Sequence, residues 1–263
     1  MDVLHTDASL NSRTMFSLGT RQMMGDIDFF PNNGDRQPGC DREPFERLFE
    51  GRGLIPSVRH AMTCDHSRSV DLLARYLEEK NKRECVPMAY KCKSWDEYES
   101  GNCFECGPRG ENCAIVGEPK ANVRKEHEDT TTRYPYYIKT TANSPLCAYQ
   151  YRIEFTLLRP VARSRLLIAV SDKSEVMAVG ETQEKDWPAK VQHSFVIASE
   201  TKIRNLESVR IGPEPRIMDV AVGAQVERAV VMPLNEWSDS LKRKLSLRVC
   251  YFSVTGTRTD NPC

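Results

Sequence analysis

From Tyr149 onward, apolar residues recur at every second position. Tyr149, Tyr151, Ile153, Phe155 and Leu157 alternate with Gln150, Arg152, Glu154 and Thr156. A period of two writes a half-buried antiparallel strand. Further strand-like runs lie at 165–171, 192–198, 206–211, 217–222, 226–232 and 245–254. Turn residues separate them at fairly regular intervals, the pattern of a two-sheet sandwich. Upstream the period changes. Val70, Leu73, Ala74 and Leu77 repeat at i, i+3, i+4 and i+7, with Asp71, Arg75 and Glu78 between them, which predicts a helix beginning after Ser69. A shorter helix is predicted over 43–50, where Phe45, Leu48 and Phe49 share one face.

Between these regions, 117–133 is polar, unpatterned and mixed in charge, and reads as a solvated linker. The change of period falls near 134–148. The expected division is therefore a cysteine-rich region with helices over 1–133 and an all-β sandwich over 134–263.

Composition narrows the function classes. The 263 residues balance 37 Lys+Arg against 37 Asp+Glu, so a nucleic-acid partner driven by basic excess is not expected. No apolar run approaches the roughly 18 residues of a membrane span. The start, Met1-Asp2-Val3-Leu4, lacks the basic and apolar regions of a signal peptide. Ten cysteines nevertheless point to an oxidising compartment. Either the thiols hold metal in the cytosol, or this chain lacks its natural N-terminus.

The cysteine block Cys85-x6-Cys92-x10-Cys103-x2-Cys106-x6-Cys113 admits two chemistries. Cys103 and Cys106 have the spacing of a zinc knuckle, but a zinc ribbon normally repeats the knuckle and here it occurs once. Local disulfides in a loop-rich segment are the other reading. Cys40 and Cys64 flank 23 residues that hold Phe45, Leu48, Phe49, Leu54, Ile55 and Val58. These side chains either pack on the core or form a hinged flap that turns apolar surface outward. His66 follows the Cys64 closure, on a stretch expected to be loop. An imidazole held there suits general-base work, although a lone His is more often a cap or surface residue.

These pieces together resemble a family. Val3-Leu4-His5-Thr6-Asp7-Ala8, Gly25-Asp26-Ile27-Asp28-Phe29-Phe30-Pro31-Asn32-Asn33-Gly34, Gln37-Pro38-Gly39-Cys40 and Cys64-Asp65-His66-Ser67-Arg68-Ser69 are similar to motifs of the secreted pancreatic lipase family. Tyr136-Tyr137-Ile138-Lys139-Thr140-Thr141, with Tyr149-Gln150-Tyr151-Arg152-Ile153, resembles the lipoprotein, hepatic and endothelial lipase branch. The motif matches run from 3 to 153. The resemblance implies the C-terminal portion of an α/β-hydrolase lipase domain followed by a PLAT-type β-sandwich. It places His66 on the catalytic histidine, 41–63 on the lid, and cross-links at Cys40–Cys64, Cys92–Cys103 and Cys106–Cys113.

The resemblance also implies what lies elsewhere. The nucleophilic Ser, the triad Asp, the oxyanion donors and the family's calcium site map upstream of Met1, so no cofactor or metal is expected in this chain. No G-x-S-x-G elbow occurs in the sequence. A base without a serine cannot form an acyl-enzyme, so the chain is expected to be inactive alone. Most of the parallel sheet against which 3–30 and the helix over 70–77 would pack is outside too, so the first 115 residues or so are expected to expose apolar surface.

The implied activity is hydrolysis of triacylglycerol or phospholipid esters, in an extracellular setting, at a lipid or lipoprotein surface. A protein cofactor bound through the sandwich is a further implied partner. A heparin-type polyanion has weak support, because Gly-Pro-Arg-Gly-Glu-Asn, not a basic cluster, separates Cys106 from Cys113. Trp187 and Trp237 are the aromatic candidates for dipping into lipid. The alternative function is a non-catalytic lipid- or protein-binding module built on the sandwich.

Overall fold

The computed structural model describes residues 1–8, 18–40, 54–78, 84–119, 133–171, 176–204, 208–213, 226–236, 238–244 and 247–250. The chain divides into two compact units, Met1–Tyr98 with Cys103–Ala148, and Glu99–Asn102 with Tyr149–Cys263. The change of period therefore falls at the end of the 134–148 window. Residues 134–148, expected with the sandwich, belong to the first unit. The expected helix over 43–50, the strand at 217–222, most of the linker, and Trp237 lie outside the described residues.

The first unit is built on a five-stranded sheet ordered β1 (Asp2–Leu4), β2 (Ile27–Pro31), β5 (Tyr136–Ile138), β3 (Met88–Lys91) and β4 (Cys113–Ile115). β1, β2 and β5 run parallel, while β3 pairs antiparallel with both β5 and β4. Every residue of β2, Ile-Asp-Phe-Phe-Pro, is buried, as a strand covered on both faces requires. Its one charged side chain, Asp28, accepts from His5 Nε2 at 2.8 Å and from the backbone N–H groups of Met24 and Gly25 at 3.0 and 3.1 Å. His5 Nδ1 lies 2.7 Å from the Thr20 carbonyl, so both ring nitrogens face oxygen acceptors. Beside this sheet, Tyr90, Tyr98, Phe104 and Tyr137 form an aromatic core; the Tyr90–Phe104 and Tyr98–Phe104 centroids are 4.7 and 5.1 Å apart.

Helix α1 spans Leu54–Glu78, not the stretch after Ser69 alone. Pro56 stands in its first turn, where the missing N–H costs no hydrogen bond. The polar run Thr63–Ser69 hides the helix from a reading that follows apolar periodicity. Within it, Cys64, Leu72 and Tyr76 are buried, and the Tyr76 hydroxyl donates to the Leu146 carbonyl at 3.2 Å. The stripe that announced the helix points the other way: Val70, Leu73 and Leu77 are 69, 37 and 52% exposed. Helix α2 spans Trp95–Glu99.

Four disulfides tie the first unit together. Three are Cys40–Cys64, Cys92–Cys103 and Cys106–Cys113. The fourth, Cys85–Cys147, was not anticipated and closes the longest loop, with a sequence separation of 62. Cys103 and Cys106 thus belong to different disulfides, and the zinc-knuckle reading fails because neither sulfur is a free thiolate. The pairing of Cys250 and Cys263 lies outside what the structure describes.

In the second unit, β6 (Tyr149–Leu157) pairs with β11 (Gln192–Ser199) and β13 (Val226–Pro233), and β13 pairs with β14 (Leu247–Cys250). A second sheet has β8 (Leu166–Ser171) between β9 (Val176–Glu181) and β12 (Ser208–Pro213). Two short strands, β7 (Val161–Ser164) and β10 (Lys185–Trp187), pair apart from these sheets. The inward residues Tyr151, Ile153, Phe155 and Leu157 of β6 share one core with Leu166, Ile168 and Val170 of β8. Alternation thus delivers the face it predicts. Gln150 departs from it: the side chain is buried, and its backbone N–H and carbonyl pair with Asn235 and Leu234. Trp187 is also buried, with its indole N–H donating to the Ser164 carbonyl at 2.9 Å, so it cannot dip into lipid. Helix α3 spans Asp239–Lys244.

Candidate active site

His66 lies inside α1, about one turn before the exposed Val70, rather than on a preceding loop. Its ring is 55% exposed, and Nδ1 is 4.0 Å from Oδ2 of Asp7, a carboxylate that is itself 11% exposed. Asp7 sits just beyond β1. The Leu18 backbone N–H donates to Asp7 Oδ2 at 2.9 Å, and the Gly19 N–H donates to its carbonyl at 2.8 Å. These bonds fix the carboxylate in place and leave it facing the imidazole.

The helix around His66 is pinned to the loop that follows β2. Cys64 is cross-linked to Cys40, and the Gln37 N–H donates to Asp65 Oδ1 at 2.6 Å. Arg68 donates to the Pro38 carbonyl at 2.7 Å. Gly39 adopts φ +82°, and a Cβ there would lie 3.0 Å from the Arg68 guanidinium, so glycine suits both the turn and the close approach.

Gln37 connects these parts. Its fully buried side chain carries Nε2 at 3.1, 2.9 and 3.0 Å from the carbonyls of Thr6, Pro31 and Asp35. Its Oε1 accepts from Asn32 at 2.8 Å. Through Gln37, the Thr6–Asp7 backbone, the β2 exit and the His66 segment hold one another. A buried polar group so well satisfied specifies geometry as well as stability. Asp7 and Gln37 stand inside the motifs that carry the family resemblance, yet nothing in the sequence marks them as site residues. Their own sequence spacing, 59 and 29 residues from His66, carries no local signal.

The resulting arrangement is an imidazole beside a carboxylate, held on rigid elements. Nδ1 stands 4.0 Å from Asp7, beyond hydrogen-bond reach, so the carboxylate acts on the ring through its charge. Of the expected lid residues, Phe45, Leu48 and Phe49 lie outside the described residues. Leu54, Ile55 and Val58 fall in the opening turns of α1, where only the backbone is described. Among the described residues, no group of three or more His, Cys, Asp or Glu is placed to hold a metal ion, and no helix is long and apolar enough to cross a membrane.

Comparison with known proteins identifies the family. The family model described as Lipase matches residues 1–146. Lipase member H of Oryctolagus cuniculus is 30% identical over 201 residues, covering 74% of this chain and 37% of that protein. Inactive pancreatic lipase-related protein 1 of Canis lupus familiaris is 29% identical, covering 65% of this chain and 34% of that protein. Pancreatic lipase-related protein 2 of Bos taurus is 27% identical, covering 60% and 32%. The chain spans about a third of the length of these relatives and corresponds to the C-terminal portion of the family. The chain belongs to the lipase family.

Proposed function

We propose that this chain is the part of a secreted lipase that carries the proton shuttle, with His66 as general base, a triad Asp outside these 263 residues to steer it, and Asp7 as a second carboxylate nearby. The observation that carries this reading is the exposed His66 imidazole with Nδ1 4.0 Å from Asp7, on a helix clamped by Cys40–Cys64. The nucleophile is a serine outside these 263 residues. As its Oγ forms a bond to the ester carbonyl carbon, its proton passes to His66 Nε2. Collapse of the tetrahedral species breaks the ester C–O bond, and the leaving alcohol takes that proton. A water then repeats the sequence on the acyl-enzyme, releasing the acid and restoring the serine.

The substrates are carboxylic esters of triacylglycerol or phospholipid at a lipid surface. Segment 41–63 is the lid, and its apolar residues favour the open state by contact with lipid. The second unit is a PLAT-type sandwich. Four disulfides suit an extracellular setting.

A chimera tests the reading: bovine pancreatic lipase-related protein 2 with its matched stretch replaced by residues 1–146 of this chain. Tributyrin hydrolysis is expected, falling on the order of 10⁴-fold or more in His66→Gln. An unchanged rate in that variant refutes the assignment.

A second reading is a non-catalytic module that binds lipid or protein through the sandwich. It is favoured by the lack of a G-x-S-x-G elbow in the sequence and by a relative whose name includes "inactive". Co-sedimentation of the chain with phosphatidylcholine vesicles, abolished by charged substitutions on the sandwich alone, supports it; loss on His66→Gln in the chimera counts against it.

A further inference from the structure

The four disulfides of the first unit are not equally guarded. Cys85–Cys147 and Cys106–Cys113 are buried at both ends. In the other two, one half-cystine is buried (Cys64 and Cys92) and its partner is half-buried (Cys40 and Cys103). A disulfide that solvent reaches exchanges with thiols more readily than a buried one. Exchange needs an attacking thiolate and a departing thiolate, and a cation beside the sulfurs favours both.

Cys40–Cys64 has such a cation. Arg68 Nη2 lies 3.9 Å from Cys40 Sγ while donating to the Pro38 carbonyl at 2.7 Å. Arg68 also stands four residues after Cys64 on α1, so the two side chains share one face of the helix. Its charge is not neutralised elsewhere. Arg68 Nε is buried without a hydrogen-bond partner, and among the described residues no carboxylate pairs with the guanidinium. Cys92–Cys103 differs here: among the described residues no side-chain donor reaches either of its sulfurs.

We propose that Cys40–Cys64 is a redox-modification site, at which a dithiol opens the cross-link by attack on Cys40 and Arg68 steadies the thiolates formed. The attacking thiolate bonds to Cys40 Sγ, and the Cys40–Cys64 bond breaks with its electron pair leaving on Cys64 Sγ. The second thiol of the reagent loses its proton, attacks the first, and releases Cys40 as a thiolate. Two electrons have then passed from the dithiol, now an internal disulfide, to the protein. The two protons that the dithiol gave up end on Cys40 and Cys64. Burial of Cys64 gives the attack its direction, since Cys40 is the half-cystine that solvent reaches.

The break falls beside His66. The Gln37 N–H still donates to Asp65, Arg68 still donates to Pro38, and Leu72 and Tyr76 still hold α1 to the core. Opening therefore loosens the His66 segment and leaves the first unit folded. Its effect on ester hydrolysis rests on the proposed role of His66; the redox site does not.

The test uses the full 263-residue chain under native conditions. Dithiothreitol is added, samples are quenched with iodoacetamide over time, and mass spectrometry locates the alkylated cysteines. Cys40 and Cys64 are expected to be alkylated about tenfold faster, or more, than Cys92 and Cys103. Arg68→Gln should cut that lead about fivefold, whereas Arg68→Lys keeps the charge and most of the lead. Cys92–Cys103 is the internal control, because a variant that merely loosens the fold speeds both disulfides. With glutathione as the reagent, the adduct belongs on Cys40 and the alkyl group on Cys64. After selective opening, hydrogen exchange should rise over 64–69 and stay unchanged over β2, β3 and β5.

Reduction of all four disulfides together overturns the inference, as does first loss at another disulfide. A glutathione adduct on Cys64, or a lead in Arg68→Gln equal to that of the unmodified chain, overturns it too. Selective opening that leaves tributyrin hydrolysis by the bovine chimera unchanged supports the redox site and removes its link to His66, so the two can fail separately.

Discussion

Removing the Cys85–Cys147 cross-link should weaken the first unit more than removing any other disulfide. Cross-linking reduces the entropy of the unfolded chain by an amount that grows with the logarithm of the loop, so a separation of 62 corresponds to about 4.3 kcal/mol, against about 2.4 kcal/mol for the separation of 7 at Cys106–Cys113. Both half-cystines are buried, and the small void left by alanine adds on the order of 1 kcal/mol. The perturbation is Cys85→Ala with Cys147→Ala, compared with Cys106→Ala with Cys113→Ala. Hydrogen exchange read by mass spectrometry separates the two units by peptide, which a single melting curve would not. Peptides covering β2, β3 and β5 should exchange about a thousandfold faster in the first variant, since each 1.4 kcal/mol is tenfold, or lose protection altogether. The peptide covering β6 should be unchanged. A loss under tenfold in the first unit, or an equal loss in β6, refutes the loop-entropy argument.

Two titrations follow from buried groups. Burial pushes the Asp28 carboxyl up, but the His5 hydrogen bond, the Met24 and Gly25 N–H groups and the charge on His5 outweigh it and hold it below its ordinary value. A carboxylate held down adds stability that is present above its unfolded pKa, about 4, and is lost as pH falls through the lower folded value. Asp28→Asn should cost roughly 3–5 kcal/mol at pH 7 and flatten that acid-side loss, as read by urea unfolding at several pH values. Burial pushes the Tyr151 phenol up to about 12, against a smaller lowering from the Ile203 N–H that donates to its oxygen at 2.7 Å. Its contribution is intact below pH 10, the unfolded value, and disappears as pH rises through the folded one. Tyr151→Phe should cost roughly 1–3 kcal/mol at neutral pH and remove that alkaline loss; the same slope in both proteins would count against the assignment.

The sequence discloses these features unevenly, for physical reasons. Strand β6 is legible because a half-buried ladder forces alternation onto the residues, and Tyr151 to Leu157 obey it. The helix is half legible. Periodicity shows that Val70, Leu73 and Leu77 share a face, but not whether that face is covered, and the buried work is done by Leu72 and Tyr76. Its start is hidden because Thr63–Ser69 is held by a disulfide and by hydrogen bonds to Gln37 and Pro38, not by apolar packing. Strands β1, β4 and β5 have three residues each, too few to show a period. Asp7 reaches His66, and Cys85 reaches Cys147, only through tertiary structure. Motif likeness puts His66 on the family pattern, whereas the Asp7 and Gln37 contacts arise only in the folded chain.

The central claim is that His66 activates a serine supplied from outside these 263 residues. The most direct measurement is the rate at which a fluorophosphonate ester labels serine in the bovine chimera, with the labelled residue located by mass spectrometry. The account predicts labelling at the elbow serine that slows at least a thousandfold in His66→Gln, and no labelling of the 263-residue chain alone. Labelling of a serine within this chain, or an elbow serine that reacts equally fast without the imidazole, would contradict it.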